Sequence, residues 1–169
     1  LYFPRVTAGP NSSTGIALSN PSAEIASVTL TYLNAVGARL GNIANLTIPP
    51  SGQVARLSAE FFAIQDVQTG WVRAESASPA LAGFYLNGDF INQADGADSA
   101  QPSTNLTFPW IVQNGSVTTE LSLCNTTAAS VTAQLSLYNS DGALARTVSI
   151  QVPANGQITG SAASLLQTS

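Results

Sequence analysis

Histidine, which most hydrolytic and metal sites use, is missing from this sequence. Its 169 residues include no histidine and one cysteine, Cys124. A Ser-His-Asp triad, a Cys-His pair and a histidine metal site all require an imidazole. A single cysteine also excludes an internal disulfide, a CxxC redox pair and a cysteine zinc site within the chain. Any chemistry here must therefore use carboxylates or aromatic rings.

Carboxylate catalysis is the enzymatic chemistry that this composition still allows. Glycosidases need two carboxyl groups that face each other across a sugar. The candidates occupy predicted turns or polar strand positions, where acidic side chains usually serve as solubilising surface charges. We therefore assign no catalytic residue and expect no enzyme, with a carboxylate glycosidase as the alternative. The candidates are Glu60, Glu75, Asp89 and Glu120.

Three aspartates provide a candidate calcium site. Asp89, Asp95 and Asp98 fall within ten residues of a polar segment. Carboxylates close together on a loop are ligands that calcium prefers. Their spacing does not match the D-x-[DN]-x-[DN]-G pattern, and a polar linker has the same composition. Calcium is thus the one cofactor for which the sequence offers ligands, and a plain linker is the alternative.

Aromatic residues provide candidate ligand-binding positions. Trp71, with Phe84 and Tyr85 on the next predicted strand, could stack against a sugar face. A tryptophan on a sandwich strand more often points into the core, which is the competing interpretation. Trp110 stands where the first part of the chain has Arg5, so we expect its side chain to point outward. The candidate binding residues are Trp71, Tyr85 and Trp110.

An internal repeat positions these residues. Phe3-Pro4 recurs as Phe108-Pro109, an offset of 105 residues, and Leu18-Ser19-Asn20 aligns with Leu123-Cys124-Asn125. After one deleted residue, Pro49 aligns with Pro153. Short strands separated by turn residues follow in both copies, and residues 26–32 and 131–137 alternate apolar with polar. The pattern predicts an all-β fold of tandem Ig-like, Greek-key β-sandwich units.

The second unit is predicted to be incomplete. We place unit one at residues 1–88, a polar loop at 89–104 and unit two at 105–169. Unit two stops after the counterpart of a helical turn at 58–62, so it lacks the strands that match 70–75 and 81–86. Either the chain is cut short, or unit one shares its strands, or a partner supplies them. Partners would then be other repeats of the same polypeptide or a second copy, through strand pairing.

Charge and hydropathy exclude two classes of partner. Only 8% of residues are charged, lysine is missing, and the five arginines are isolated in a chain of net charge −4. Nucleic-acid binding needs clustered cations, and no apolar run is long enough to span a bilayer. The sequence begins at Leu1 without Met or a signal segment, so we expect a piece of something longer. A Ser- and Thr-rich, weakly charged surface favours an extracellular or cell-surface location.

These motifs resemble a family of tandem repeats of about a hundred residues, found in large exported proteins of soil bacteria and without assigned activity. The resemblance implies a β-sandwich and export more than it implies a function. Unit one matches over nearly its whole length, whereas unit two departs at Trp110. The motifs that carry the resemblance are Phe3-Pro4-Arg5, Thr14-Gly15-Ile16-Ala17-Leu18-Ser19-Asn20-Pro21, Val28-Thr29-Leu30, Ile48-Pro49-Pro50-Ser51-Gly52-Gln53 and Gly70-Trp71.

The leading functional hypothesis is a non-catalytic extracellular or cell-surface β-sandwich module. It would serve as a structural spacer or as an adhesion and ligand-binding unit. The alternative is a carbohydrate-binding module or, with less support, the carboxylate glycosidase, with a glycan as partner in either case.

Overall fold

The computed structural model describes residues 1–10, 12–88, 94–114 and 116–168. These residues form twelve antiparallel strands and two one-turn helices, which confirms the all-β prediction. Neither helix has the length and apolar character needed to cross a membrane. The elements are β1 (Tyr2–Ala8), β2 (Gly15–Ser19), β3 (Ala26–Leu33), β4 (Arg39–Ile48), β5 (Gln53–Leu57), α1 (Ser58–Phe62), β6 (Gln68–Ser76), β7 (Ala82–Gly88), β8 (Ala94–Asp98), β9 (Glu120–Cys124), β10 (Val131–Tyr138), β11 (Leu144–Val152), β12 (Gln157–Ser161) and α2 (Ala162–Leu166).

The described residues between 1 and 100 fold as two packed four-stranded sheets, here called the N-terminal sandwich. One sheet has the order β1-β6-β3-β4 and the other β5-β2-β7-β8. Each strand sends alternate side chains inward, so the apolar residues of β3 lie buried against those of β2 and β6. Because β6 lies between β1 and β3, it is hydrogen-bonded along both edges.

Part of the expected polar loop is a strand. Within 89–104, Ala94–Asp98 forms β8 and pairs with β7 from Phe84 opposite Asp98 to Gly88 opposite Ala94. All five side chains of β8 are exposed, so the sequence of this strand does not alternate between apolar and polar residues. Backbone hydrogen bonds to β7 hold it in place instead. The chain that the sequence predicts as a linker therefore extends one sheet.

Glu60 and Ser58 fix the start of α1. Leu57 is the N-cap residue, and its backbone N–H donates to Glu60 Oε2 at 2.8 Å. Ser58 lies inside the helix and is fully buried. Its hydroxyl donates to the carbonyl of Thr7 and accepts from the N–H of Thr14. The serine therefore ties the end of β1 to the start of β2.

A buried asparagine fixes the loop after β2, and the same arrangement occurs 105 residues later. The side-chain amide of Asn20 donates to the carbonyls of Glu24, Ile48 and Pro49 at 2.7–3.2 Å. The amide of Asn125 donates to the carbonyls of Ala129, Val152 and Pro153 at 2.7–3.4 Å. Buried backbone carbonyls need such donors because water cannot reach them. Each asparagine thereby joins three chain segments.

The described residues between 105 and 168 form a smaller assembly, here called the C-terminal segment. It consists of two two-stranded sheets, β10-β11 and β12-β9, with α2 at one end. Its core is small, with Leu121, Ala162 and Leu166 as the buried members. Between 105 and 119 the described residues form no strand beyond an isolated bridge from Gln113 to Thr118. The segment thus has about half the strands of the N-terminal sandwich.

The pH dependence of stability is set in part by Tyr32. Its hydroxyl is buried and donates to the carbonyls of Val6 and Gln68 at 3.0 and 2.9 Å. Burial raises the pKa of this phenol above its ordinary value. The folded chain therefore keeps a proton that the unfolded chain releases above about pH 10, and stability falls as pH rises through that range.

We expect Tyr32→Phe to lower the free energy of unfolding at pH 7 by about 1 kcal/mol, for the lost hydrogen bonds. The variant should also lose less stability at high pH. One group with a raised pKa lowers the free energy of unfolding by up to about 1.4 kcal/mol per pH unit. Urea unfolding at pH 7, 10 and 11 measures both effects. Tyr138→Phe changes an exposed ring on β10 and is the matched control. An equal alkaline slope in Tyr32→Phe and the unmodified protein would contradict the assignment.

Candidate functional site: the joint between the two parts of the chain

The contact between the N-terminal sandwich and the C-terminal segment, here called the joint, is centred on Trp71. Strand β6 places its indole at the end of the sandwich, fully buried and 6.1 Å from the ring of Tyr2. Its Nε1–H donates to the backbone carbonyl of Asn155 at 3.0 Å. A buried indole N–H normally finds an acceptor, and here the acceptor comes from the other part of the chain.

Two turns pack against each other beside this hydrogen bond. Gly37, at φ +81°, lies so close to the turn before β12 that an added Cβ would sit 2.3 Å from the carbonyl oxygen of Ala154. The N–H of Gln157 donates to the carbonyl of Ala35 at 3.0 Å. The backbone of each part therefore contacts the backbone of the other. Such a contact leaves little room for the two parts to rotate.

The third part of the joint is the irregular stretch of β1. The pairing of β1 with β6 shifts register between Phe3 and Val6, which brackets Pro4. The carbonyl of Pro4 accepts from the side-chain amide of Gln157 and from Cys124 Sγ, the latter at 3.7 Å. Proline at an edge-strand irregularity is common because it has no N–H to donate. Its carbonyl is thus free to bind the C-terminal segment.

The charges at the joint are few. Arg5 Nε lies 2.9 Å from Glu120 Oε1, with about half of each side chain exposed, so the pair contributes at most about 1 kcal/mol. Burial raises the pKa of the Cys124 thiol to about 12. The thiol is therefore protonated at neutral pH and packs as a small apolar group. Shape and backbone hydrogen bonds, rather than charge, hold the joint.

The three predicted ligand-binding aromatics lie in different surroundings. Trp71 is buried in the joint, and Tyr85 is half-buried with its ring edge-on to Phe3 at 5.9 Å. Burial, followed by the charge of Asp95, raises the pKa of Tyr85, and Arg5 opposes this. The expected platform of Trp71 with Tyr85 does not form, because β6 and β7 belong to opposite sheets.

Trp110 differs from both of these aromatics. Its side chain is 79% exposed, as the outward-facing prediction requires. Phe108 and Leu106 nearby in sequence are also exposed. This stretch therefore presents apolar surface that the described part of the chain does not cover.

The predicted calcium ligands do not converge where the structure describes them. Asp95 and Asp98 lie three residues apart on β8, so their side chains project from opposite faces of the strand. Asp98 pairs with Phe84 and Asp95 with Asn87. Asp89 lies outside the described residues. No group of three potential metal-binding side chains occurs among the residues that are described. Calcium binding by all three aspartates stays a prediction.

The candidate catalytic carboxylates occur on separate elements. Glu60 caps α1, Glu75 pairs with Arg73 at 3.2 Å on β6, and Glu120 pairs with Arg5. Two surface clefts, of about 400 and 250 Å³, contain one side-chain carboxylate each, from Glu75 and Asp66. Neither cleft brings together the pair that a glycosidase needs.

Sequence reasoning did not find the joint. Gly37 and Gly142 lie 105 positions apart, with φ of +81° and +85°, and both look like ordinary hairpin glycines. Only Gly37 touches another part of the chain, since nothing lies within 4 Å of a Cβ added at Gly142. The carbonyl of Asn155 is a backbone group and carries no sequence signal. The one usable signal was Trp71, whose size and type suit a buried contact.

No family model and no curated protein sequence matches the chain. A solved structure titled as Thermotoga maritima 1070 is similar to part of it, with a TM-score of 0.48 and 14% sequence identity. The similarity covers 60% of this chain and 91% of that one. A structural similarity this low does not indicate a function.

The glycine pair gives a matched test of the joint. Alanine at either position is strained by about 1–2 kcal/mol, because both glycines are left-handed. Gly37→Ala should cost more, since its Cβ also pushes the turn at Ala154 away, and it should uncover Trp71. Gly142→Ala should leave Trp71 buried.

The measurement uses a Trp110→Phe background, in which Trp71 is the single tryptophan. Urea unfolding gives the stability loss, and acrylamide quenching gives the accessibility of the indole. Equal quenching in the two alanine variants would show that the turns do not hold the joint.

Proposed function

We propose that the chain is a non-catalytic, extracellular or cell-surface β-sandwich module that acts as a structural spacer. It consists of two copies of one Ig-like, Greek-key unit, the second of them incomplete. The observation that carries the proposal is the joint, in which a buried indole, two interlocked turns and the carbonyl of Pro4 connect the two copies. A spacer must keep successive units in a constant orientation, and such a joint does so.

Recurring hydrogen bonds support the two-copy description. Besides the buried asparagines, the N–H of Thr7 donates to Thr14 Oγ1 at 2.8 Å, and the N–H of Val112 donates to Thr119 Oγ1 at 2.9 Å. The helix-start amides of Ser58 and Ala162 donate at 2.8 Å to the carbonyls of the same two threonines. Side-chain and backbone contacts at matching positions favour two copies of one unit over chance similarity of turn residues.

The surface chemistry supports an exported spacer. Fourteen charged residues are spread over 169 positions, and none is a lysine. The exposed faces of strands such as β10 carry Thr, Gln and Ser instead. A polar but weakly charged surface exerts little electrostatic attraction on charged molecules. We expect its partners to be other repeats of the same polypeptide or a second copy of the chain, through strand pairing.

The test of the spacer function is the distance between its two parts. Spin labels are attached at Ser27→Cys on β3 and Gln134→Cys on β10, both exposed, in a Cys124→Ala background. Pulsed electron paramagnetic resonance should give one narrow distance distribution. Gly37→Ala should broaden it, whereas Gly142→Ala should not. A broad distribution in the parent protein, or hydrolysis of a glycan panel by the unmodified protein, would overturn the proposal.

A second candidate function, glycan binding, is favoured by one observation, the 79% exposure of Trp110. Exposed tryptophan rings stack on sugar faces, and Phe108 adds apolar surface beside it in sequence. We expect any glycan bound on an array to lose at least about 1 kcal/mol of affinity, roughly fivefold, in Trp110→Ala. Trp71→Phe is the control, since its ring is buried. Binding unchanged in Trp110→Ala would remove this candidate.

A further inference from the structure

The joint is a head-to-tail contact between two different surfaces. One is formed by Pro4, Ala35, Gly37 and Trp71 of the N-terminal sandwich, here called the Trp71 surface. The other is turn 153–157, which follows β11 in the C-terminal segment. Turn 49–53 follows β4 in the same way, at the opposite end of that strand from Gly37. A contact between unlike surfaces can be repeated from one unit to the next.

Turn 49–53 has the backbone conformation of turn 153–157. Asn155, whose carbonyl binds the indole of Trp71, is left-handed with φ +48°. Ser51 at the matching position is also left-handed, with φ +55°. In each turn the glycine N–H donates at 2.9 Å to the carbonyl of the proline three residues earlier. The carbonyl of Ser51 is therefore held as the carbonyl of Asn155 is.

Gln53 repeats both hydrogen-bonding groups of Gln157. In the joint, the N–H of Gln157 donates to the carbonyl of Ala35, and its side-chain amide donates to the carbonyl of Pro4. The residue before each glutamine accepts at 2.9 Å from the buried asparagine that follows the neighbouring strand. Because bonded and non-bonded pairs alternate along an antiparallel ladder, the N–H of Gln53 points away from β2. It is thus available at the sheet edge, as that of Gln157 is.

Exposure distinguishes the two turns. Pro49, Pro50, Ser51 and Gln53 are exposed. Their counterparts in turn 153–157 are half-buried or buried, because the Trp71 surface lies against them. The residues are alike, Pro-Pro-Ser-Gly-Gln and Pro-Ala-Asn-Gly-Gln, so the difference comes from the contact. Turn 49–53 is an exposed version of a surface that the joint buries.

We propose that turn 49–53 binds the Trp71 surface of another unit of the repeat, one that precedes the N-terminal sandwich in the same polypeptide. The inference rests on the proposed two-copy spacer. The indole of the preceding unit donates to the carbonyl of Ser51. Gln53 donates to two carbonyls of that unit, as Gln157 does in the joint. Successive units thereby meet through one repeated contact.

The joint itself favours a preceding unit over a second copy of the chain. Here the indole of Trp71 is fully buried and bound to turn 153–157, so a second copy offers no uncovered Trp71 surface. A preceding unit turns this surface toward the N-terminal sandwich instead. Gly15 stands where the C-terminal segment has Glu120, so the contact has no counterpart of the ion pair with Arg5. It should therefore depend weakly on salt.

The first test transplants turn 49–53 into the joint. Ala154→Pro with Asn155→Ser gives turn 153–157 the residues of turn 49–53 and keeps its carbonyls. In the Trp110→Phe background, this double variant should leave Trp71 as protected from acrylamide as in the parent. Gln157→Pro removes two donors of the joint and should raise the quenching. Quenching of the double variant at the level of Gln157→Pro would overturn the proposal.

The second test adds one unit to the full chain by placing residues 1–105 of a second copy before it. The chain leaves the added unit after Ala100, which pairs with Tyr2 beside Trp71. It enters the next unit at Leu1, which lies near Gly83 on the part of β7 that is level with the start of β5. Residues 101–105 can span up to about 20 Å between these points. The fusion therefore lets the added Trp71 surface reach turn 49–53.

Spin labels at matching positions compare the new contact with the joint. Ser27→Cys and Thr132→Cys, both exposed and 105 positions apart, define the distance across the joint in the Cys124→Ala background. In the fusion, Ser27→Cys in the added unit and in the full chain should give the same mean distance and an equally narrow distribution. Urea unfolding verifies that the added unit is folded.

Two proline substitutions in the full-chain part of the fusion identify the contact. Gln53→Pro removes both donors and should broaden the distribution. Ala55→Pro changes the same strand edge, where proline is tolerated, and should not, since its counterpart Thr159 is exposed beside the joint.

A broad distribution in the folded fusion would overturn the proposal, as would one that Gln53→Pro leaves narrow. A concentration-dependent dimer of the full chain that Gln53→Pro abolishes would assign the turn to a second copy and also overturn it. A broad distribution between Ser27 and Thr132 in the chain itself would contradict the spacer instead, so the two failures are distinguishable.

Discussion

Strand β6 is the element on which the rest of the structure depends. It is hydrogen-bonded to β1 on one edge and to β3 on the other, so it closes the first sheet. Its inward residues, Val72 and Ala74, complete the core. Its first half carries Trp71 into the joint, where the indole binds the carbonyl of Asn155. One strand therefore determines the integrity of the sandwich and the placement of the C-terminal segment.

No strand pairs with β10 in this way among the described residues of the C-terminal segment. The C-terminal segment keeps the buried asparagine, the left-handed helix cap and the turn geometry of the N-terminal sandwich. Those features are local, because each joins residues within about thirty positions of one another. Its core, in contrast, stays small. Local hydrogen bonds preserve this geometry, but burial of an apolar face also requires residues that pack against it.

The proposed structural role rests on the chemistry of the joint. Its groups are a buried indole, backbone carbonyls, an amide and a protonated thiol, all of which pair with each other. The two ionised side chains, Arg5 and Glu120, neutralise one another at its rim. Such a set of groups fixes an orientation. The exposed Trp110 lies outside the joint.

The sequence by itself determined the positions of β3 and β10, because alternating burial imposes a period of two that is readable without a structure. It also determined the turn residues, since these follow from aligning landmarks such as Asn20 with Asn125. It did not reveal β8, whose exposed side chains leave no pattern, or the buried contacts of Ser58 with Thr7 and Thr14. Tertiary structure alone decided which of two equivalent residues became buried. Gly37 and Gly142 share a backbone conformation, and Leu30 and Leu135 share a side-chain type. Their burial nevertheless differs, because the residues that pack against each position come from distant parts of the chain.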